Sequence, residues 1–212
     1  MTPEEFRKAY DNPVLRENLA LENMEHVKRC ILRLRWPETS ATNQPQLRAL
    51  EIGCYRGGMT RFLLQNGIQF VDCVDTFEGS PEHKDRPMMI QAKSQFLSNM
   101  ANYAGRYYCF TGNSLGFYCD RAVMFENPVV EQDFDLIYID ASHDSRDVIV
   151  DSVLSFQLLK VGGILIWDDF LWRYYENEYR NPKPAIDFFL AAFEPQIEVL
   201  EKNYQVSVRR TA

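Results

Sequence analysis

Short apolar runs alternate with helix-forming segments along most of this chain, and that alternation narrows the possible folds more than any other feature. From about Gln46 onward the runs are LRALEI, FVDCVD, RYYCF, FDLIYID and GGILIWD. Segments with helical spacing separate them, beginning at Gly58, over 89–103, near 114–122 and over 145–159. Strand, helix and strand in repeated succession predict a parallel sheet covered on both faces by helices. The end of the chain departs from this pattern. After a helix over Pro184–Phe193, PQIEVLEKN and YQVSVRR alternate apolar with polar residues around a polar turn at Lys202–Asn203. Such a pair predicts an antiparallel hairpin that closes the sheet. The expected class is α/β, with five parallel strands finished by two antiparallel ones.

Ahead of the sheet, Phe6, Tyr10, Val14, Leu15, Leu19, Leu21, Met24, Val27, Ile31 and Leu32 fall at helical spacing, and Pro13 marks a break between two helices. The polar stretch WPETSATNQPQ at 36–46 reads as a loop that delivers the chain to the first strand. We therefore expect a helical extension over residues 1–45 and a catalytic domain over 46–212. No glycine-, serine- or proline-rich stretch divides the 212 residues further, so one core is expected.

A formal net charge of −7 argues against a surface that collects nucleic-acid phosphates. No apolar run approaches the roughly 20 residues that cross a bilayer, and MTPEEFRKAY is polar where a signal peptide is apolar. A cytoplasmic protein with no membrane span is the expectation. The five cysteines show neither C-x-x-C nor zinc-ligand spacing and read as reduced core thiols.

Ligands of open α/β sheets sit at the carboxyl ends of strands. At the first such end stands LEIGCYRGG (50–58), where Gly53 and Gly57 let the backbone turn tightly beside a ligand. Glu51 offers its carboxylate to a cationic amino group. The spacing E-x-G-x-x-x-G puts Tyr55 where a dinucleotide fold carries its second glycine, which disfavours pyrophosphate binding and with it an oxidoreductase. The second strand ends at Asp75, placed to hold both hydroxyls of a ribose, and Phe77 follows as a face for adenine. After the third strand, Asn113 in TGNS offers an amide to the adenine edge. Ribose, adenine and an amino acid's charged groups together describe S-adenosylmethionine.

The fourth strand ends in Asp140 and the fifth in Asp168 and Asp169. Carboxylates gathered at one sheet end repel one another and resist desolvation unless a cation neutralises them. An oxygen-only set suits Mg²⁺ or Mn²⁺. His143 follows Asp140 by three residues and is the candidate general base for a hydroxyl that must lose its proton. Alternatively, Asp140 caps the helix that begins near Ser142, and Asp168 and Asp169 form a solvated turn. The aromatic run FLWRYYENEY (170–179) reads either as packed surface or as a lid whose Trp172, Tyr174 and Tyr175 stack on an acceptor ring.

Taken together, LEIGCYRGG, VDTFEGS, FDLIYIDASHD, LLKVGGILIWDDF and PKPAIDFFL resemble the class I S-adenosylmethionine-dependent methyltransferases over about residues 46–209. The resemblance implies a Rossmann-like, seven-stranded sheet. It also implies a donor-contacting set of Glu51, Gly53, Tyr55, Arg56, Gly57, Asp75, Thr76, Phe77, Asn113, Ser114 and Asp140. The spacing of Asp140, His143, Asp168 and Asp169 is similar to that of metal-dependent sugar O-methyltransferases acting on macrolides and other glycosides. In that group the three acids bind Mg²⁺ and the histidine is the base. Catechol O-methyltransferases are similar but carry lysine at the place of His143 and asparagine at that of Asp169.

The sugar-type resemblance and the compact size imply a module of a larger glycan-building enzyme, fused to or associated with glycosyltransferase modules, or a homo-oligomer. A viral setting in the host cytoplasm, with a deoxyhexose such as rhamnose as acceptor, completes that expectation. A phenolic O-methyltransferase and a catalytically silent donor-binding module are the alternatives.

Overall fold

The computed structural model describes residues 2–10, 12–35, 46–80, 91–124 and 132–212. Seven strands form one sheet: β1 (Arg48–Ile52), β2 (Phe70–Asp75), β3 (Tyr107–Thr111), β4 (Phe134–Ile139), β5 (Leu159–Trp167), β6 (Ile197–Lys202) and β7 (Val206–Arg210), in the spatial order β3-β2-β1-β4-β5-β7-β6. The first five run parallel, while β7 pairs antiparallel with both β5 and β6. The expected Rossmann-like α/β sheet with an antiparallel end is the fold observed. The hairpin folds back so that β7 lies inside the sheet and β6 forms its edge.

The helices are α1 (Pro3–Tyr10), α2 (Pro13–Arg35), α3 (Gly58–Gln65), α4 (Ala92–Met100), α5 (Ser114–Met124), α6 (Ser145–Leu158) and α7 (Pro182–Ala192). Because successive strand side chains point to opposite faces, each central strand supplies two cores. Leu50, Ile52, Ile137, Ile139, Leu165 and Trp167 pack with Phe117 of α5, Phe156 of α6 and Phe189 of α7. Their sequence neighbours Ala49, Leu136, Tyr138, Ile164 and Ile166 pack with Ile31 of α2, Leu63 of α3 and Phe96 of α4. Helices thus cover both faces, and α2 belongs to the second core through Val27, Cys30 and Ile31, all essentially buried.

Several local expectations meet the structure with differences. The break at Pro13 separates α1 from α2 as read. The helix expected over 89–103 is α4 followed by a 3-10 turn at Ala101–Tyr103; residues 89 and 90, like all but Gln46 of the loop expected over 36–46, lie outside the described residues. The helix after β4 is capped by Asp144, whose Oδ1 accepts from Arg146 N at 3.1 Å, so Asp140 is not a cap. Cys30, Cys54 and Cys73 are buried free thiols and Cys109 is half-buried, but Cys119 is exposed on α5 rather than part of the core. No described helix is long and apolar enough to cross a membrane.

Candidate active site

Strand order reverses between β1 and β4, the point where an open α/β sheet leaves a crevice at its carboxyl end. Gly53 and Asp140 continue those two strands, and their backbones are in close contact. Asp140 N donates to Ile52 O at 2.8 Å, and Gly53 N donates to Val74 O at 2.8 Å. A Cβ on Gly53 would lie 1.9 Å from the Asp140 carbonyl oxygen, and Gly53 holds φ +92. The backbone of Asp140 and Ala141 therefore requires glycine at 53, whether or not a ligand passes beside it. Gly57, at φ +77, fills the N-cap position of α3 against Phe96 and Met100.

Asp75 organises the loop between these glycines. Its Oδ2 accepts from Tyr55 N and its Oδ1 from Phe77 N, both at 2.6 Å. Tyr55 and Phe77 both take left-handed backbone angles, which side-chain-bearing residues adopt rarely and where surroundings dictate. Phe77 packs on Phe96, with ring centroids 5.7 Å apart. Arg56 lies half-buried with its guanidinium 4.8 Å over the Tyr55 ring. Thr76 is exposed beside them, its Oγ1 accepting from Glu78 N. Asn113 is exposed past β3, its Oδ1 accepting from Gly116 N at 2.7 Å in the first turn of α5, which begins at half-buried Ser114.

Glu51 lies beneath this loop rather than at its rim. It is 1 % exposed, and its Oε2 accepts from Thr60 Oγ1 at 2.5 Å. Burial is the main reason its carboxyl is pushed up to about 8. The sign of the resulting pH effect follows from proton counting. An unfolded chain releases that proton near pH 4.3 while the folded chain keeps it to about 8, so stability falls as pH rises through the interval. Glu51→Gln is expected to flatten this dependence and to raise the melting temperature at pH 8, measured by calorimetry across pH 4–8 (about the interval between the two values). Equal pH slopes in the variant and the parent would contradict it.

On the other side of Gly53, Asp140, His143 and Asp169 each present a ligand atom, and these atoms all lie within 4.8 Å of one another. His143 is buried; its Nε2 is 2.7 Å from Asp169 Oδ2, and its ring stacks on Trp172 at 4.3 Å and 14°. Trp172 is 2 % exposed and occupied by that stack, so it is no free platform for an acceptor ring; Tyr174 and Tyr175 are half-buried. Asp168 borders the same pocket but its oxygens are already engaged. Its Oδ1 accepts from Asn23 Nδ2 at 2.9 Å and Asp169 N at 2.8 Å, and its Oδ2 from Tyr138 OH at 2.5 Å.

Burial first, and then the charges of Asp168 and Asp169, push the Asp140 carboxyl well above the usual range. Burial and Asp169 push Asp168 up to about 7. The donor set therefore fits a divalent cation, which would relieve this crowding of negative charge. Three further polar partners of the acids escaped sequence reading, namely Asn23, Tyr138 and Tyr204. Only Tyr138 carried a signal, since strand alternation puts it on the same face as Asp140, two residues earlier.

Residues 50–170, from the middle of β1 to just past the acid pair, match the family model described as a methyltransferase domain. The chain belongs to the methyltransferase-domain family. No curated protein matches it. This methyltransferase shares its fold with the O-methyltransferase NovP, at 18% identity and a TM-score of 0.59, over 90% of this chain and 80% of that one. A second neighbour is the O-methyltransferase TomG of Streptomyces achromogenes, solved with SAM, at 15% identity and a TM-score of 0.60, over 87% and 79%. A third is the methyltransferase MycE of mycinamycin biosynthesis, solved with Mg and SAH, at 15% identity and a TM-score of 0.56, over 88% of this chain and 49% of that one.

Proposed function

We propose that this methyltransferase transfers a methyl group from S-adenosylmethionine to a hydroxyl of a sugar, assisted by a divalent cation, with His143 as general base. The observation that carries the reading is the convergence of Asp140, His143 and Asp169 across the β1–β4 crevice from the Gly53–Gly57 loop that Asp75 organises. That arrangement sets a donor pocket beside a group able to take a proton. Oxygen acceptors need that group, because a hydroxyl is a poor nucleophile until its proton leaves.

The loop around Tyr55, Arg56 and Gly57 would line the donor side, where Asp75 would hold the ribose and Phe77, Asn113 and Ser114 the adenine. Asp140 and Asp169 would hold the cation, with Asp168 at the margin of the same pocket. A bound cation would orient the acceptor and lower the pKa of its hydroxyl. His143, held by Trp172 and through Nε2 by Asp169, would take the acceptor's proton on its imidazole. Holding both reactants in line supplies most of the remaining rate enhancement. A sugar acceptor is favoured by the half-buried Tyr174 and Tyr175 past the acid pair and by histidine rather than lysine at 143.

The direct test is a mass-spectrometric screen of glycosides and catechols with the methyl donor. We expect a product heavier by about 14 Da, one CH₂, from a glycoside bearing free hydroxyls. Turnover of catechols alone would replace the sugar by a phenol, and binding without any product would leave a silent donor-binding module. S-adenosylhomocysteine at about 100 times its Kd should add about 2.7 kcal/mol of stability, whereas NADH should add none.

A further inference from the structure

We propose that the turn of the C-terminal hairpin completes the acid site, with Tyr204 as the positioning residue that holds Asp169 in its ligating posture; this rests on the cation-assisted reading above. Tyr204 lies between β6 and β7, and its hydroxyl donates to Asp169 Oδ1 at 2.6 Å. The other oxygen of the same carboxylate meets His143 Nε2 at 2.7 Å. One carboxylate is thus gripped at both oxygens by residues from two distant parts of the chain, which fixes the rotation of its side chain.

The backbone is tied at the same place. Phe170 N donates to the Tyr204 carbonyl at 2.9 Å, so the residue following Asp169 is anchored to the residue that orients it. Asp169 itself sits at φ 59, a left-handed angle that a non-glycine residue keeps only where its neighbours over-determine it. Tyr204 supplies two of those determinants. The next residue, Gln205, extends the pattern to the other acid. It is 2 % exposed and donates from Nε2 to Tyr138 OH at 3.1 Å, and Tyr138 in turn donates to Asp168 Oδ2. Consecutive residues of one turn therefore serve consecutive acids.

An ordinary hairpin turn selects glycine, asparagine or aspartate for backbone reasons, and a half-buried phenol followed by a buried amide meets none of those. Hydrogen bonds to a ligating carboxylate, by contrast, set its direction and are worth about 10–100-fold in metal affinity.

The test is Mn²⁺ binding to the full chain, by counting free Mn²⁺ with electron paramagnetic resonance, for the parent and for Tyr204→Phe. The substitution deletes one oxygen and keeps the ring. We expect Mn²⁺ affinity to fall by about 10–100-fold, with S-adenosylhomocysteine affinity and melting temperature unchanged. Unchanged Mn²⁺ affinity in the variant, with binding intact in the parent, overturns this proposal alone. A loss of Mn²⁺ affinity matched by equal losses in homocysteine-product affinity and melting temperature also overturns it, because the hydroxyl would then serve general packing. Absence of Mn²⁺ binding by the parent itself removes the cation-assisted reading and this proposal with it.

Discussion

Chelation by EDTA is expected to abolish methyl transfer, and Mg²⁺ or Mn²⁺ to restore it; with metal present, His143→Ala is expected to lower kcat by about 10²–10⁴-fold. Both effects follow from the same crowded pocket. Asp140 is held well above its usual pKa by burial and by two acid neighbours, so the site without a cation favours a protonated, neutral acid. A bound cation would reverse that preference. On the proposed reading the histidine would remove the hydroxyl proton, and an alanine cannot perform that task. Donor binding should persist in His143→Ala, since the proposed donor side is built from the Gly53–Gly57 loop and Asp75, across the β1–β4 crevice from the histidine. Full turnover in excess EDTA would remove the metal from the mechanism, and an unchanged kcat in the variant would return His143 to a packing role beside Trp172.

Gly53→Ala is expected to destabilise the protein by about 2–5 kcal/mol, the sum of a left-handed backbone penalty and overpacking. For a domain of this size that corresponds to a fall of roughly 5–15 °C in melting temperature. The added methyl carbon would have to occupy a point 1.9 Å from a carbonyl oxygen, and that oxygen belongs to Asp140. Relief requires moving the backbone of β1 or of β4, and either movement displaces one half of the crevice. We therefore also expect stabilisation by S-adenosylhomocysteine to disappear in thermal-shift measurements. A variant that melts within a degree of the parent and still responds to this ligand would show that the strand tips can separate without consequence.

The sheet was legible in the sequence because each central strand is apolar on both faces and each helix has a stripe, so periodicity alone orders the elements. Glycine and acidic residues at strand ends were legible because parallel strands deliver their carboxyl ends to one side. What periodicity could not supply was the direction of individual side chains. Asp168 and Asp169 are adjacent in sequence, yet one faces Asn23 and Tyr138 while the other faces His143 and Tyr204. The split arises from the left-handed backbone at Asp169, a property set by tertiary contact and invisible to residue type. The same limit applies to Trp172, whose aromatic character fitted either packed surface or a lid and whose buried ring stacks on His143. Asn23 lies 145 residues from its partner in a helix that carries no motif.

The placement of β7 between β5 and β6 bears on how the molecule comes into being. During synthesis β7 leaves the ribosome after every strand it joins, so β5 waits with an open edge while the nascent chain lengthens. Until β7 docks, Tyr204 cannot reach Asp169 and Gln205 cannot reach the Tyr138 hydroxyl. Catalytic competence would then arrive in a single late event, and a prematurely terminated polypeptide would be inert however well its first five strands had assembled.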